Sequence, residues 1–214
     1  MSQTWFHKPE NALKRANELI TIGNKSAALE LLHNVFTTRR NKTWQKAHET
    51  IMLKYLDLCV ELQQHRQAKD GLHQYRNMCQ QQAPQSLEVI IEHLVTVAEA
   101  RAAKARKAAN QASLKAAKAV GDLDQEVSPE TIMLSTMTED GEKERMDREV
   151  VVPWLKFLWE TYRAVLDILK TNSKLERVYH DTCIKAFNFC RVYERTTEFR
   201  RLCETLRQHI SNLQ

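Results

Sequence analysis

Apolar positions recur along this chain at three- and four-residue intervals, and short polar clusters cut the recurrence into segments of helical length. Pro9 suits a first helical position, with Glu10 in the first turn, where the positive end of a helix favours a carboxylate. "PENALKRANELITIG" then runs to a stop at Gly23. "NKSAALELLHNVFTTRR" predicts a second helix. A third, "TWQKAHETIMLKYLDLCVELQQ", has Thr43 as its expected N-cap and sets Ile51, Tyr55, Leu58 and Leu62 along one side. "HRQAKDGLHQYRNMCQQQA" ends before Pro84, and Ser86 is expected to cap a long helix beginning "LEVIIEHLVTV".

One spacing occurs twice. Ala27, Leu31 and Asn34 are matched by Ala68, Leu72 and Tyr75, each set following a polar turn that succeeds an apolar helix. That is the form of a tetratricopeptide-like array, a right-handed solenoid of antiparallel helix pairs. An irregular bundle of antiparallel helices is the alternative. Either way the fold class is all-α, and four Gly and four Pro in 214 residues agree with it, since a sheet protein needs more tight turns.

In the long helix, Leu87, Ile90, Ile91, Leu94 and Ala98 form an apolar face that Ala105, Ala109, Ala112 and Ala116 continue. Arg101, Lys104, Lys107, Lys115 and Lys118 fall on one flank, and only Arg106 strays from it. The block is thus an ordered helix, about 50 Å long from Ser86 to Ala119. Its alanine face either admits another backbone closely or projects into solvent. After Pro153, Trp154, Leu155, Leu158, Trp159, Tyr162, Val165, Leu166 and Leu169 occupy one broad arc, with Phe157 and Ile168 outside it. Only a strip of Lys156, Glu160, Arg163 and Asp167 is polar, so this helix is covered on two sides. "KLERVYHDTCIKAFNFCRVY" and "TTEFRRLCETLRQHISNL" are two more amphipathic helices.

Charge adds a division. The net charge is +5, but residues 98–120 carry six basic side chains against one acid, and residues 122–149 carry ten acids against three bases. With Gly121, Pro129 and Gly141, the acidic part predicts a connection, within which Ser128 and Pro129 could start a short helix. The organisation is therefore helical repeats over 1–120 ending in the basic helix, an acidic linker over 121–152, and further helical repeats over 153–214.

Chemistry subtracts more than it adds. The glycines are isolated, so no phosphate-cradling loop forms, and HExxH, GxSxG and zinc-finger spacings do not occur. His180 and Cys183 share a helix face with Cys190 two turns on, but a zinc site would need a further ligand. Buried thiols beside a partly exposed imidazole fit better. Trp154 and Trp159, at helical spacing among leucines, predict core and not base stacking. No catalytic residue, metal or cofactor is expected. The five cysteines form no CxxC pair and indicate reduced thiols. The N-terminus has no secretory pattern, and no apolar run spans a membrane. The expected location is cytoplasmic. For the basic stripe, phosphate contact with RNA competes with a solvated flank compensated by the acidic segment. Without interleaved aromatic residues, any binding would be weak and sequence-independent.

The strings "PENALKRANELI", "TWQKAHETIMLKYLDLCVEL", "QYRNMCQQ", "PWLKFLWETYR", "ERVYHDTCIKAFNFC" and "EFRRLCETLRQHISNLQ" together resemble the N-terminal region of the a-subunit family of eukaryotic translation initiation factor three. The resemblance covers nearly the whole chain and weakens over 98–149. It implies a non-enzymatic scaffold whose helical repeats lead towards a PCI module. It also implies pairing with the c-subunit and other factor subunits, and a place on the small ribosomal subunit that supports mRNA recruitment. The winged helix that closes a PCI module and the family's long charged tail have no counterpart in the sequence, which therefore reads as an N-terminal part of such a protein. Lys14, Arg15, Arg39, Arg40, Lys42 and Lys46 give the first pairs a basic lean suited to an acidic tail on a ribosomal protein or sister subunit. The alternatives are a helical protein that binds RNA through its basic helix, and an adaptor of another PCI assembly such as the proteasome lid or signalosome.

Overall fold

The computed structural model describes residues 9–37, 44–119 and 147–211, and among them every regular element is helical. The α-helices are α1 Pro9–Thr21, α2 Lys25–Thr37, α3 Lys46–Glu61, α4 His65–Cys79, α5 Pro84–Ala119, α6 Val152–Leu169, α7 Glu176–Val192 and α8 Thr196–Ser211. A π-helical turn, Asp147–Val151, leads into α6, and a 3-10 turn, Ser173–Leu175, into α7. The chain groups into two compact units, Met1–Val97 with Trp159–Gln214, and Ala98–Leu158.

Three of the helix pairs are closed by one and the same turn. At the end of α1, the Asn24 N–H donates to Leu19 O at 2.9 Å and the Gly23 N–H to Ile20 O at 3.0 Å. At the end of α3, Gln64 donates to Cys59 and Gln63 to Val60; at the end of α7, Arg195 donates to Cys190 and Glu194 to Arg191. Each turn satisfies two of the orphan carbonyls of its helix and needs one residue in the left-handed region. Those residues are Gly23 (φ 91°), Gln63 (φ 55°) and Glu194 (φ 52°). The first turn has the best chemistry: glycine carries no β-carbon penalty, and Asn24 Oδ1 accepts from the Ala27 N–H at 3.2 Å to cap α2.

The stacking is that of a repeat array. Helix α1 packs on α2 and α3, α2 also packs on α3 and α4, and α3 packs on α4; α7 packs on α8. His93 Nε2 on α5 meets Asp57 Oδ1 on α3 at 2.8 Å, and Arg76 of α4 donates to Thr171 Oγ1 just beyond α6 at 3.0 Å. The first helices of successive pairs thus neighbour one another, as do the second. The repeated spacing is present, but its register differs by one residue. Ala28, Leu32 and Val35 are the buried counterparts of Ala68, Leu72 and Tyr75, while Ala27 and Leu31 are half-buried and Asn34 is exposed.

Two expected caps fall elsewhere. Thr43 lies outside the described residues, and α3 begins at Lys46 with extended Gln45 as its N-cap. The Gln45 N–H donates to His48 Nδ1 at 3.1 Å. In α5 the helix starts at Pro84, because a residue without an N–H loses nothing at the first position; Ser86 sits inside the first turn and is buried. Ser128 and Pro129 lie outside the described residues.

Helix α6 is apolar nearly all round, as its sequence predicts. Leu155, Phe157, Leu158, Trp159, Tyr162, Ala164, Val165, Leu166, Ile168 and Leu169 are buried, Lys156 and Arg163 are exposed, and Trp154, Glu160 and Asp167 are half-buried. Within the larger unit, Tyr162 meets Phe189 of α7 with ring centroids 5.8 Å apart.

Candidate partner-binding surfaces

The basic helix is built as a two-faced rod. Ala98, Ala102, Ala105 and Ala109 are buried, so this part of the alanine face packs and does not project into solvent. Lys104 and Lys107 lie on the opposite side of the helix and are exposed. Arg101 stands at the margin, half-buried, and both it and Arg106 already have interacting neighbours. Lys115 and Lys118 lie within α5, but their side chains are outside the described residues, as are those of Ala112 and Ala116. Among the described residues the open cationic edge rests on Lys104 and Lys107, on the side of α5 away from its buried alanines.

The second basic set is less complete. Lys46 is exposed on the first turn of α3, and Lys14 and Arg15 are exposed on α1. Arg39, Arg40 and Lys42 lie outside the described residues. Lys46 belongs to the larger unit and Lys104 to the smaller one.

The groups that could do chemistry are committed to packing. Burial pushes the Cys59 thiol up to about 12 and the Cys79, Cys183 and Cys190 thiols up to about 11. These four are protonated at neutral pH and are poor nucleophiles. His180 is exposed and stands 3.8 Å from Glu176, while Cys183 faces inward, so the two do not converge on one point. Among the described residues no cluster of three His, Cys, Asp or Glu could hold a metal ion, and no helix is long and apolar enough to cross a membrane.

Sequence reasoning missed a polar chain, buried at its Tyr75–Ser86 contact, that joins the second pair to the third. Ser86 Oγ donates to Glu49 Oε2 at 2.6 Å, so its one proton is used. The hydroxyl of Tyr75, 2.5 Å from Ser86 Oγ, must then be the donor in that contact. Tyr75 in turn accepts from Trp44 Nε1 at 3.1 Å, and the Trp44 N–H donates to Gln82 Oε1 at 3.0 Å. The signal in the sequence was Ser86 itself, which looks like a cap until Pro84 takes the first helical position.

A family model described as "eIF3a, PCI domain, TPR-like region" matches residues 10–214. The a-subunit of eukaryotic translation initiation factor 3 from Arabidopsis thaliana is 54% identical over 208 residues, covering 97% of this chain and 21% of that protein. Its Nicotiana tabacum counterpart is 54% identical over 208 residues, covering 97% of this chain and 22% of that protein. The Homo sapiens counterpart is 46% identical over 210 residues, covering 98% of this chain and 15% of that protein. The chain therefore spans about a fifth or less of the length of these relatives, and the matched span of the family model includes both the repeats and the basic helix.

Proposed function

The chain belongs to the a-subunit family of eukaryotic translation initiation factor 3, in its PCI, TPR-like region, and on that premise we propose that it is a non-enzymatic scaffold of an initiation complex in the cytoplasm. It binds sister subunits, notably the c-subunit, and proteins of the small ribosomal subunit, in support of mRNA recruitment. The observation that carries this reading is the stack of helix pairs spanned by the family match: such an array presents one set of helices as an extended surface, which suits a partner chain better than a small substrate. The division into repeats over 1–120, an acidic connection over 121–152 and repeats over 153–214 belongs to the same proposal. Membership of this family displaces the proteasome-lid and signalosome alternatives.

The test is a pull-down with the chain as bait against small ribosomal subunits and the other factor subunits, with charge reversal at Arg39, Arg40, Lys42 and Lys46. Binding that weakens as salt is raised, and that charge reversal abolishes without unfolding the chain, places the contact in the first pairs. Recovery of none of these partners, or a turnover activity, overturns the reading.

A second reading has its own observation. Lys104 and Lys107 stand clear on the side of α5 opposite its buried alanines, where they could meet phosphates of mRNA or ribosomal RNA. Replacing Arg101, Lys104, Lys107, Lys115 and Lys118 with Gln should lower RNA affinity and flatten its salt dependence. Unchanged binding leaves the stripe as solvated surface.

A further inference from the structure

Between the N-terminal half of α5 and the middle of α7 runs a groove of about 260 Å³, lined on one side by Ile91, Glu92 and Val95 and on the other by Val178, Asp181, Thr182, Ile184 and Lys185. Both sides belong to the larger unit. The floor is apolar: Ile91 and Val95 are 1% exposed and Val178 is 5%. Ile184 stands at the lip 60% exposed, a large aliphatic side chain left mostly open to solvent. Covering this surface with an apolar group of a partner is favourable because it removes it from water.

Three features fix the class of occupant. The volume lies at the small end for ligand sites, which begin at roughly 300 Å³, and it suits a single aliphatic side chain. The only hydroxyl in the lining, that of Thr182, already donates to Val178 O at 2.7 Å, so the floor offers no free donor to a polar ligand. The rim carries two carboxylates, Glu92 and Asp181, against one ammonium, Lys185, in a chain whose net charge is +5. Asp181 has only a loose partner in Arg177, at 4.0 Å with both side chains mostly exposed, and Glu88 stands one turn before Glu92 on α5. Counting Glu88 and Arg177, the surroundings hold three carboxylates against two cations, a balance that favours a cationic ligand over a phosphate.

We infer that the α5–α7 groove is a docking site for a protein segment that presents a branched aliphatic side chain flanked by Lys or Arg. The aliphatic group enters between Val95, Val178 and Ile184, and the flanking cation meets Glu92 and Asp181. The site is separate from the basic surfaces of the proposed function and does not depend on them.

Methyl-resolved NMR of the full chain, followed during titration with capped peptides, tests the inference directly. The three probes are Ac-Ala-Arg-Leu-Arg-Ala-NH2, the same peptide with Glu for Arg, and the same peptide with Ala for Leu. The Arg-Leu-Arg peptide should shift the methyls of Ile91, Val95, Val178 and Ile184 at least tenfold more tightly than the other two. The double variant Glu92→Lys with Asp181→Lys should transfer that preference to the Glu-flanked peptide while leaving the remaining methyl spectrum in place. Equal response to the Arg- and Glu-flanked peptides, shifts centred elsewhere, or no shift at millimolar peptide overturns the inference. Because the probes contain no ribosomal or factor component, this result is independent of the pull-down described above.

Discussion

The ring of Tyr55 on α3 lies against the backbone of Gly71 on α4, so that a β-carbon at position 71 would overlap Tyr55 Cε1 and stand 3.1 Å from Cζ. The ring is held in place. Its hydroxyl donates to Gln67 O at 2.7 Å and accepts from His33 Nδ1 at 3.0 Å, and its side chain is wholly buried. Helix propensity alone would favour alanine over glycine here by about 1 kcal/mol. With the ring pinned, overpacking prevails, and Gly71→Ala should lower stability by about 1–3 kcal/mol. A raised urea midpoint for this variant would show that the ring can move aside.

The three matching turns predict opposite effects for opposite substitutions. Gly23→Ala forces a β-carbon into φ 91° and should cost about 1 kcal/mol. Gln63→Gly and Glu194→Gly relieve residues already held at φ 55° and 52°, and each should gain about 1 kcal/mol. Thermal melts of the three variants decide the matter. A loss at all three positions would mean that the side chains of Gln63 and Glu194 contribute more than their backbone strain costs.

Stability should fall as pH drops below neutral. His48 is buried, and that burial holds its pKa below the ordinary 6.5; its Nδ1 accepts the Gln45 N–H, which only an unprotonated nitrogen can do. The unfolded chain therefore binds this proton more readily than the folded one. The contribution is fully present above about pH 6.5 and is lost as pH falls below that value. His73, lowered chiefly by burial and then by Arg76 and Lys69, acts in the same direction. Urea midpoints at pH 7.5 and 5.5 should differ more for the parent chain than for His48→Gln. An identical pH dependence in the two would remove His48 from the account.

Helix α6 gives a contrast within two turns. Trp159→Ala removes a side chain that is 7% exposed and should cost about 3–5 kcal/mol, whereas exposed Lys156→Ala should change stability by less than about 0.5 kcal/mol. Denaturation curves that coincide would mean that Trp159 is not seated in the core.

The helices were legible because burial of one face imposes a period that survives in the sequence, and Gly23 was legible because glycine is the usual residue for a left-handed position. Gln63 and Glu194 adopt that same conformation without the residue that advertises it. The slip between Ala27, Leu31 and Ala28, Leu32 has a similar cause: adjacent apolar residues make neighbouring faces look alike until α3 and α4 choose one. Of the candidate surfaces, the opposition of lysines and alanines along α5 could be read from spacing. The α5–α7 groove could not, since its walls come from distant parts of the chain and each wall alone is an ordinary amphipathic helix.

The chain of protons from Trp44 through Tyr75 and Ser86 to Glu49 runs in one direction only, each hydroxyl giving to the next and ending on a carboxylate. Tyr75 and Ser86 meet in a buried place, and parting them would break the link between α4 and α5 that Glu49 extends to α3, so α3, α4 and the start of α5 should open together. In native-state hydrogen exchange the amides at the heads of α3 and α5 should therefore become solvent-accessible together, as one cooperative block, even though they are joined by no shared helix. The stacked pairs should in this way acquire a stiff middle segment, with fraying greatest in the outer pairs.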